Sequence, residues 1–283
     1  MTLFGSDKKT CRVCMHACSL AEGQTGRCLA RKNIAGEIVS ISYGDLTAMQ
    51  LDPIEKKPLN RFHPGSKILS VGSFGCNLRC EFCQNYRISM ASEQEAETVT
   101  FRKEPQDLLE EALRLRKYGN IGIAYTYNEP TIGYEYVLET ARLIHEEGMY
   151  NVLVTNGSAS REILKKLLPW IDAMNIDLKC FSEEGYARLG GSLEPVKQFI
   201  ALARTRSHVE LTFLLVPGLN DSEDEFREMC RWIASADPNM PLHVNRFFPM
   251  YQSKQTQPTP IRLLYHYAEI AEQYLTYVYV GNV

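Results

Sequence analysis

Seven short apolar runs rich in β-branched residues alternate with helical patterns between residues 67 and 281, and this limits the folds open to the chain. They are KILSVGSFG (67–75), IGIAYTY (121–127), NVLVTNG (151–157), MNIDLK (174–179), VELTFLLVP (209–217), LHVNRFF (242–248) and YVYVG (277–281). Such runs read as buried strands. Between them, PQDLLEEALRLRKYG repeats leucine at helical spacing and stops at Gly119, and TIGYEYVLETARLIHEEG stops at Gly148. A strand followed by a helix, about six times over, predicts an α/β fold with a parallel sheet and helices outside. No G-x-G-x-x-G follows the first strand, so a partial (β/α)6 TIM-like barrel of parallel strands suits the pattern better than an open doubly wound sheet. In either architecture, site residues belong at the C-terminal ends of the strands.

Residues 67–283 carry the barrel. Residues 1–66 are rich in cysteine, proline and turn residues, with room for one hairpin, and read as an N-terminal appendage. The net charge of −3 supplies no basic field for nucleic acid or an anionic membrane. The start MTLFGSDKKT lacks the apolar run of a signal peptide, and no stretch reaches the roughly 20 apolar residues of a membrane span. A cytoplasmic location is therefore expected, where thiols stay reduced and nine cysteines point to metal or redox chemistry rather than disulfides. Four fall in the first 28 residues and three lie at 76–83, leaving Cys180 and Cys230 alone; this distribution predicts two metal centres.

The second group sits in GCNLRCEFCQN (75–85), directly after the first barrel strand. Cys76, Cys80 and Cys83 follow C-x3-C-x2-C spacing. Three thiolates from one loop can hold three corners of a cubane cluster, whereas a protein-bound [4Fe–4S] cluster usually takes four cysteines. The fourth iron is then open, as metal positions are in reactive rather than structural sites. Structural zinc with a fourth ligand from afar, or buried free thiols, are the alternatives.

This spacing, with the aromatic Phe82 before the last cysteine, resembles the signature of the radical SAM superfamily. The resemblance implies a [4Fe–4S] cluster on Cys76, Cys80 and Cys83, S-adenosylmethionine (SAM) bound at the open iron, and reductive formation of a 5′-deoxyadenosyl radical that abstracts hydrogen from a substrate. YNEP (127–130) looks like the superfamily's Gly-Gly-Glu-Pro segment, whose backbone meets the SAM ammonium group. Tyr127 and Asn128 stand in place of the glycines, and Glu129 is retained. Thr155 and Asn156 of VTNG can hydrogen-bond. In DLK, Asp177 and Lys179 point to one side of their strand, suiting ribose hydroxyls and the SAM carboxylate respectively; a structural ion pair is the alternative. His243 is either a ribose contact or a satisfied core residue, and Tyr125, Phe247 and Phe248 are aromatics suited to the mouth. Asp221 or Ser222 is expected to cap the helix after LVPGLND.

In order, these segments resemble the barrel of pyruvate formate-lyase activating enzyme over roughly residues 65–283, except that Val154 replaces an acidic residue there. CRVCMHAC…GQTGRC, DPIEKKPL, FHPGS, CQNYRIS and VYVGNV are similar to the radical SAM member of the AmmeMemoRadiSam system over nearly the whole chain. The implied partners are an electron donor such as flavodoxin or ferredoxin and a substrate that is either a protein segment, as in glycyl-radical activation, or a small molecule. Cys11, Cys14, Cys18 and Cys28 suit tetrahedral Zn²⁺ or an auxiliary iron–sulfur cluster, with plain thiols as the alternative. The rival reading is a zinc-dependent scaffold protein in which both cysteine groups are structural.

Overall fold

The computed structural model describes residues 8–283; the first seven residues of the appendage and of the leader reading lie outside the described residues. Eight strands form the main sheet: β1 (Ala48–Pro53), β2 (Lys67–Gly72), β3 (Asn120–Tyr125), β4 (Tyr150–Thr155), β5 (Ala173–Asp177), β6 (His208–Leu215), β7 (Leu242–Arg246) and β8 (Val278–Gly281). They lie side by side in chain order. Every neighbouring pair from β2 to β8 is parallel, and β1 runs antiparallel to β2. Helices α1 (Pro105–Leu115), α2 (Tyr134–Glu146), α3 (Arg161–Leu167), α4 (Leu193–Ala203), α5 (Glu223–Ala236) and α6 (Ile261–Glu272) fill the six crossovers. The partial β/α barrel expected from the alternation is the fold.

Local chemistry explains the element ends. Gly119 and Gly148 take φ of +88° and +66° and stop the helices before them. Ser222 caps α5 by accepting from the Glu225 N–H, while the Asp221 carboxylate turns back to the Gly218 N–H at 2.9 Å. The outer layer packs by helical stripes. Leu108, Leu109, Ala112 and Leu115 of α1 are buried, and Phe226 of α5 sits between Phe213 of β6 and Tyr267 of α6, with centroids 5.0 and 4.8 Å away.

Two boundaries differ from expectation. The first barrel strand ends at Gly72, not 75, which frees residues 73–85 to form a loop over the strand ends. The division at residue 66 also cuts through the barrel sheet, because β1 pairs with β2 in register from Ala48↔Gly72 to Pro53↔Lys67. The rest of the appendage holds two small antiparallel pairs, Lys9–Thr10 with Ser19–Leu20 and Arg31–Ile34 with Glu37–Ser40.

Between β1 and β2 the chain crosses the N-terminal end of the barrel and closes it. Ile54 and Leu59 are fully buried against Ile68, Ala124, Val152 and Ala173 on the inner faces of four strands. One carboxylate fixes this plug. Glu210, fully buried on β6, accepts the Arg61 N–H at 2.7 Å and His208 Nε2 at 2.9 Å on one oxygen. Its other oxygen bonds the Asn60 N–H at 3.0 Å and His243 Nε2 at 2.7 Å. Burial alone would push Glu210 up, yet these donors, His208 foremost, hold it at about 2.

Candidate functional site

The plug leaves a cavity of about 280 Å³ at the C-terminal ends of the strands. Its walls include Cys76, Cys80, Cys83 and Phe82 from the loop after β2, and Asn128 and Glu129 after β3. Thr155 and Asn156 come from the end of β4, and Asp177 and Lys179 from the end of β5. Every residue singled out for the cluster and its nucleotide lines this one space, except His243.

Hydrogen bonds hold the cysteine loop on three sides. The Cys76 N–H donates to the Cys28 carbonyl at 3.1 Å, and the Arg79 N–H to the Leu189 carbonyl at 2.8 Å. The Arg79 guanidinium donates to the carbonyls of Cys76 (2.6 Å) and Leu78 (2.8 Å) and to that of Arg27. From β3's side, the Asn128 amide donates to the Phe74 and Gly75 carbonyls at 3.0 and 3.1 Å and accepts the Ser73 N–H at 3.1 Å. Asn128 is thus saturated as a clamp on the loop.

Burial, with Glu129 close by, pushes the Cys76 thiol far up, and burial holds Cys80 at about 11 despite the opposing charge of Lys179. Buried thiols in this state are poor nucleophiles; they become thiolates when a metal takes the proton's place. Among the described residues, no group of three or more His, Cys, Asp or Glu side chains is placed to hold a single metal ion. The three thiols instead share the wall of one cavity. Three soft donors around one cavity with an amide beside one sulfur, Asn156 Nδ2 at 3.8 Å from Cys76 Sγ, fit a multi-iron cluster.

Glu129 is the hub of the opposite wall. It is 2% exposed, with Oε1 accepting from Thr131 Oγ1 (2.5 Å), Thr155 Oγ1 (2.7 Å) and the Thr131 N–H (3.1 Å). Its Oε2 accepts the Asn156 N–H at 2.8 Å. Burial raises its pKa against these donors. The carboxylate therefore ties the end of β3 to the end of β4. Lys179 Nζ bonds Asp177 Oδ2 at 2.9 Å. Burial works against the ammonium, but the Asp177 carboxylate outweighs it and keeps Lys179 charged. Among the described residues, Lys179 is the only lysine or arginine in the cavity wall, and Asp177 and Glu129 are its carboxylates.

His243 is corrected. It lies on the inward face of β7 but at the plug, bonded to Glu210 and stacked on Tyr279 at 5.2 Å. Asn245, two residues on and about 7 Å further along the strand, reaches the cavity instead. Tyr125 and Phe247 also move from the mouth to the core, at 2% and 0% exposure; Tyr125 donates to Asn151 Oδ1 at 3.2 Å, and Phe247 packs edge-on to Phe82. Phe248 is exposed. Val154 lines the cavity and supplies no charge there. Asn175, Thr212 and Asn282 complete the wall and were not anticipated. The signal for Asn175 was strand alternation, since it precedes Asp177 by two.

The first cysteine group packs against the same loop. Cys11 N–H donates to the Cys18 carbonyl at 2.8 Å across its hairpin, Cys11 and Cys28 are buried, and His16 Nε2 lies 2.8 Å from the Asn77 carbonyl.

Comparisons with known proteins bear on the family and the fold. A family model described as the Radical SAM superfamily matches residues 70–233. An uncharacterized protein of Methanocaldococcus jannaschii, MJ0808, is 38% identical over 281 residues, 98% of this chain and 82% of that protein. The pyruvate formate-lyase 1-activating enzyme of Escherichia coli strain K12 is 28% identical over 171 residues, 57% of this chain and 65% of that enzyme, so the match spans less than two thirds of its length. Among solved structures, a radical SAM methyltransferase from Sphaerobacter thermophilus superposes with a TM-score of 0.55 at 16% identity, over 77% of this chain and 67% of that one. Streptococcus suis SuiB gives 0.57 at 12%, over 75% and 48%.

Proposed function

The chain belongs to the radical SAM superfamily, and from that premise we propose that it is a radical SAM oxidoreductase that acts on a protein segment presented at the barrel mouth, in the manner of a glycyl-radical activase. The observation that carries the reading is the single cavity in which three cysteines, and no fourth, meet the Glu129 hub and the Asp177–Lys179 pair. When bound, the [4Fe–4S] cluster and SAM supply reductive cleavage to a 5′-deoxyadenosyl radical, which abstracts hydrogen from the substrate.

The protein's part is positioning and exclusion of water. Cys76, Cys80 and Cys83 hold the cluster, and Asn156 supports the Cys76 sulfur. The backbone at Tyr127 and Asn128 faces the SAM ammonium group, Lys179 its carboxylate and Asp177 its ribose. Phe82 closes the apolar side.

Size supports a macromolecular substrate. At about 280 Å³ the cavity falls just below the range of about 300–1,000 Å³ typical of small-molecule sites, which leaves little room for a second ligand beside the cluster and SAM. A second ligand then has to approach from outside. The segment after β7 rims the loop side: the Gln252 and Ser253 N–H groups donate to the Glu81 carbonyl at 2.9 and 3.1 Å, and Phe248 and Met250 are 40% and 39% exposed. An electron donor such as flavodoxin or ferredoxin supplies the electron. The first cysteine group, whose thiols are likewise not placed around a single ion, is assigned a second centre, an auxiliary cluster in preference to zinc.

Anaerobic purification with dithionite-driven assay tests the reading. A brown protein with about four irons on this loop, forming 5′-deoxyadenosine that is lost in Cys80→Ala, supports it. A colourless protein with zinc alone supports the scaffold reading. Deuterium transfer into 5′-deoxyadenosine from a labelled protein, against labelled small molecules, identifies the substrate class.

A further inference from the structure

DPIEKKPL (52–59) and the tyrosine of YNEP are far apart in sequence and unexplained by the reading above. The fold joins them. Tyr127 takes φ of +73°, the left-handed region where a bulky L-residue is an outlier because its Cβ crowds the following carbonyl oxygen. Such a strained conformation persists only where its surroundings over-determine it.

Three contacts do so. Tyr127 OH donates to Asp52 Oδ2 at 3.0 Å. The same oxygen accepts from Lys57 Nζ at 2.9 Å, and that ammonium lies 4.9 Å from the Tyr127 ring centroid. The side chains of Lys57 and Asp52 are 3% and 8% exposed, so the pair is out of reach of bulk water. Burial, then Asp52, pushes the Tyr127 phenol up to about 12, which keeps it a donor. The ring also needs Gly72 beneath it: a Cβ at that position would meet Tyr127 Cδ2 at 2.7 Å and Cβ at 2.9 Å. The consequence reaches the cysteine loop, because the Tyr127 carbonyl accepts from Asn85 Nδ2 at 2.7 Å, two residues after Cys83.

We propose that Lys57, Asp52 and Tyr127 form a positioning device that holds the backbone after β3 in a glycine-like conformation, so that the barrel plug sets both the SAM-facing segment and the end of the cysteine loop. The proposal rests on the reading of this cavity as a SAM site. Asp52 acts through Tyr127, and its role ends once residue 127 no longer needs anchoring.

A double-mutant cycle on the anaerobically reconstituted full chain tests this, with SAM affinity measured by equilibrium dialysis and iron content as the loading control. Asp52→Asn is expected to weaken SAM binding about tenfold in the wild-type background and less than threefold in the Tyr127→Gly background. Tyr127→Phe, which deletes one hydroxyl and leaves the ion pair intact, reproduces a several-fold loss and serves where Asp52→Asn does not fold. An equal Asp52→Asn loss in both backgrounds overturns the proposal, as does SAM binding by Tyr127→Phe indistinguishable from wild type. Failure of the wild-type holoprotein to bind SAM would instead remove the functional reading on which the proposal stands.

Discussion

Glu210→Gln probes the floor on which the site is built. The carboxylate offers four acceptor positions to four donors: two backbone N–H groups and two imidazoles. A carboxamide of the same shape turns one acceptor oxygen into an NH₂ group. Either Arg61 N–H and His208, or Asn60 N–H and His243, then face a donor. The pKa gives the size of the effect. Glu210 moves from 4.5 unfolded to about 2 folded, a difference of about 2.5 units or about 3 kcal/mol at 1.36 kcal/mol per unit. Because the folded value is depressed, this stability is fully present above the unfolded pKa and is lost as pH falls from about 5 toward 2. Urea unfolding of wild type and Glu210→Gln at pH 7 should differ by about 3–5 kcal/mol, and the gap should shrink through that acidic window. A difference below 1 kcal/mol at pH 7, or one that stays constant from pH 7 to 3, would refute the reasoning.

Three further outcomes are expected. Lys179→Met should weaken SAM binding by tenfold or more in equilibrium dialysis, since a hydrogen bond to a charged group contributes about 1.5–3 kcal/mol. Glu129→Gln keeps the shape of the hub but turns one of its two oxygens into a donor, so either the fixed Asn156 N–H or the fixed Thr131 N–H loses its acceptor; urea unfolding should show a loss of about 1–3 kcal/mol, with the Thr131 and Thr155 hydroxyls able to reorient. Cys11→Ser combined with Cys14→Ser should remove the metal of the first cysteine group by elemental analysis. It should also lower iron occupancy on the second group, because Cys28 of the first holds the Cys76 N–H.

Most of the barrel was legible in sequence because its strands are short, apolar and separated by helical stripes, a pattern few other folds satisfy. The site was legible for the same reason: it collects at strand ends, and VTNG and DLK announce those ends. What escaped depended on level and partner rather than on face. His243 and Asn245 share a face of β7, but only the register against the plug shows which one meets the cavity. The antiparallel β1 was hidden because AMQLDP carries few β-branched residues and its pairing with β2 is set by tertiary contact. Asp52, Lys57 and Tyr127 form one unit that spans 75 residues of sequence, and no local pattern reports such a meeting. Tyr127 at a glycine position was visible as a departure, and its left-handed backbone shows how the departure is accommodated.

The central claim is that Cys76, Cys80 and Cys83 leave one iron of their cluster for SAM. Hyperfine spectroscopy of the anaerobically reduced protein, with SAM labelled at its amino nitrogen and carboxylate oxygens, addresses it directly. Coupling of both labels to the cluster, lost with the cluster in Cys80→Ala, is the predicted result; a reduced cluster with no coupling to either label, its fourth iron held by a protein side chain, would contradict the account.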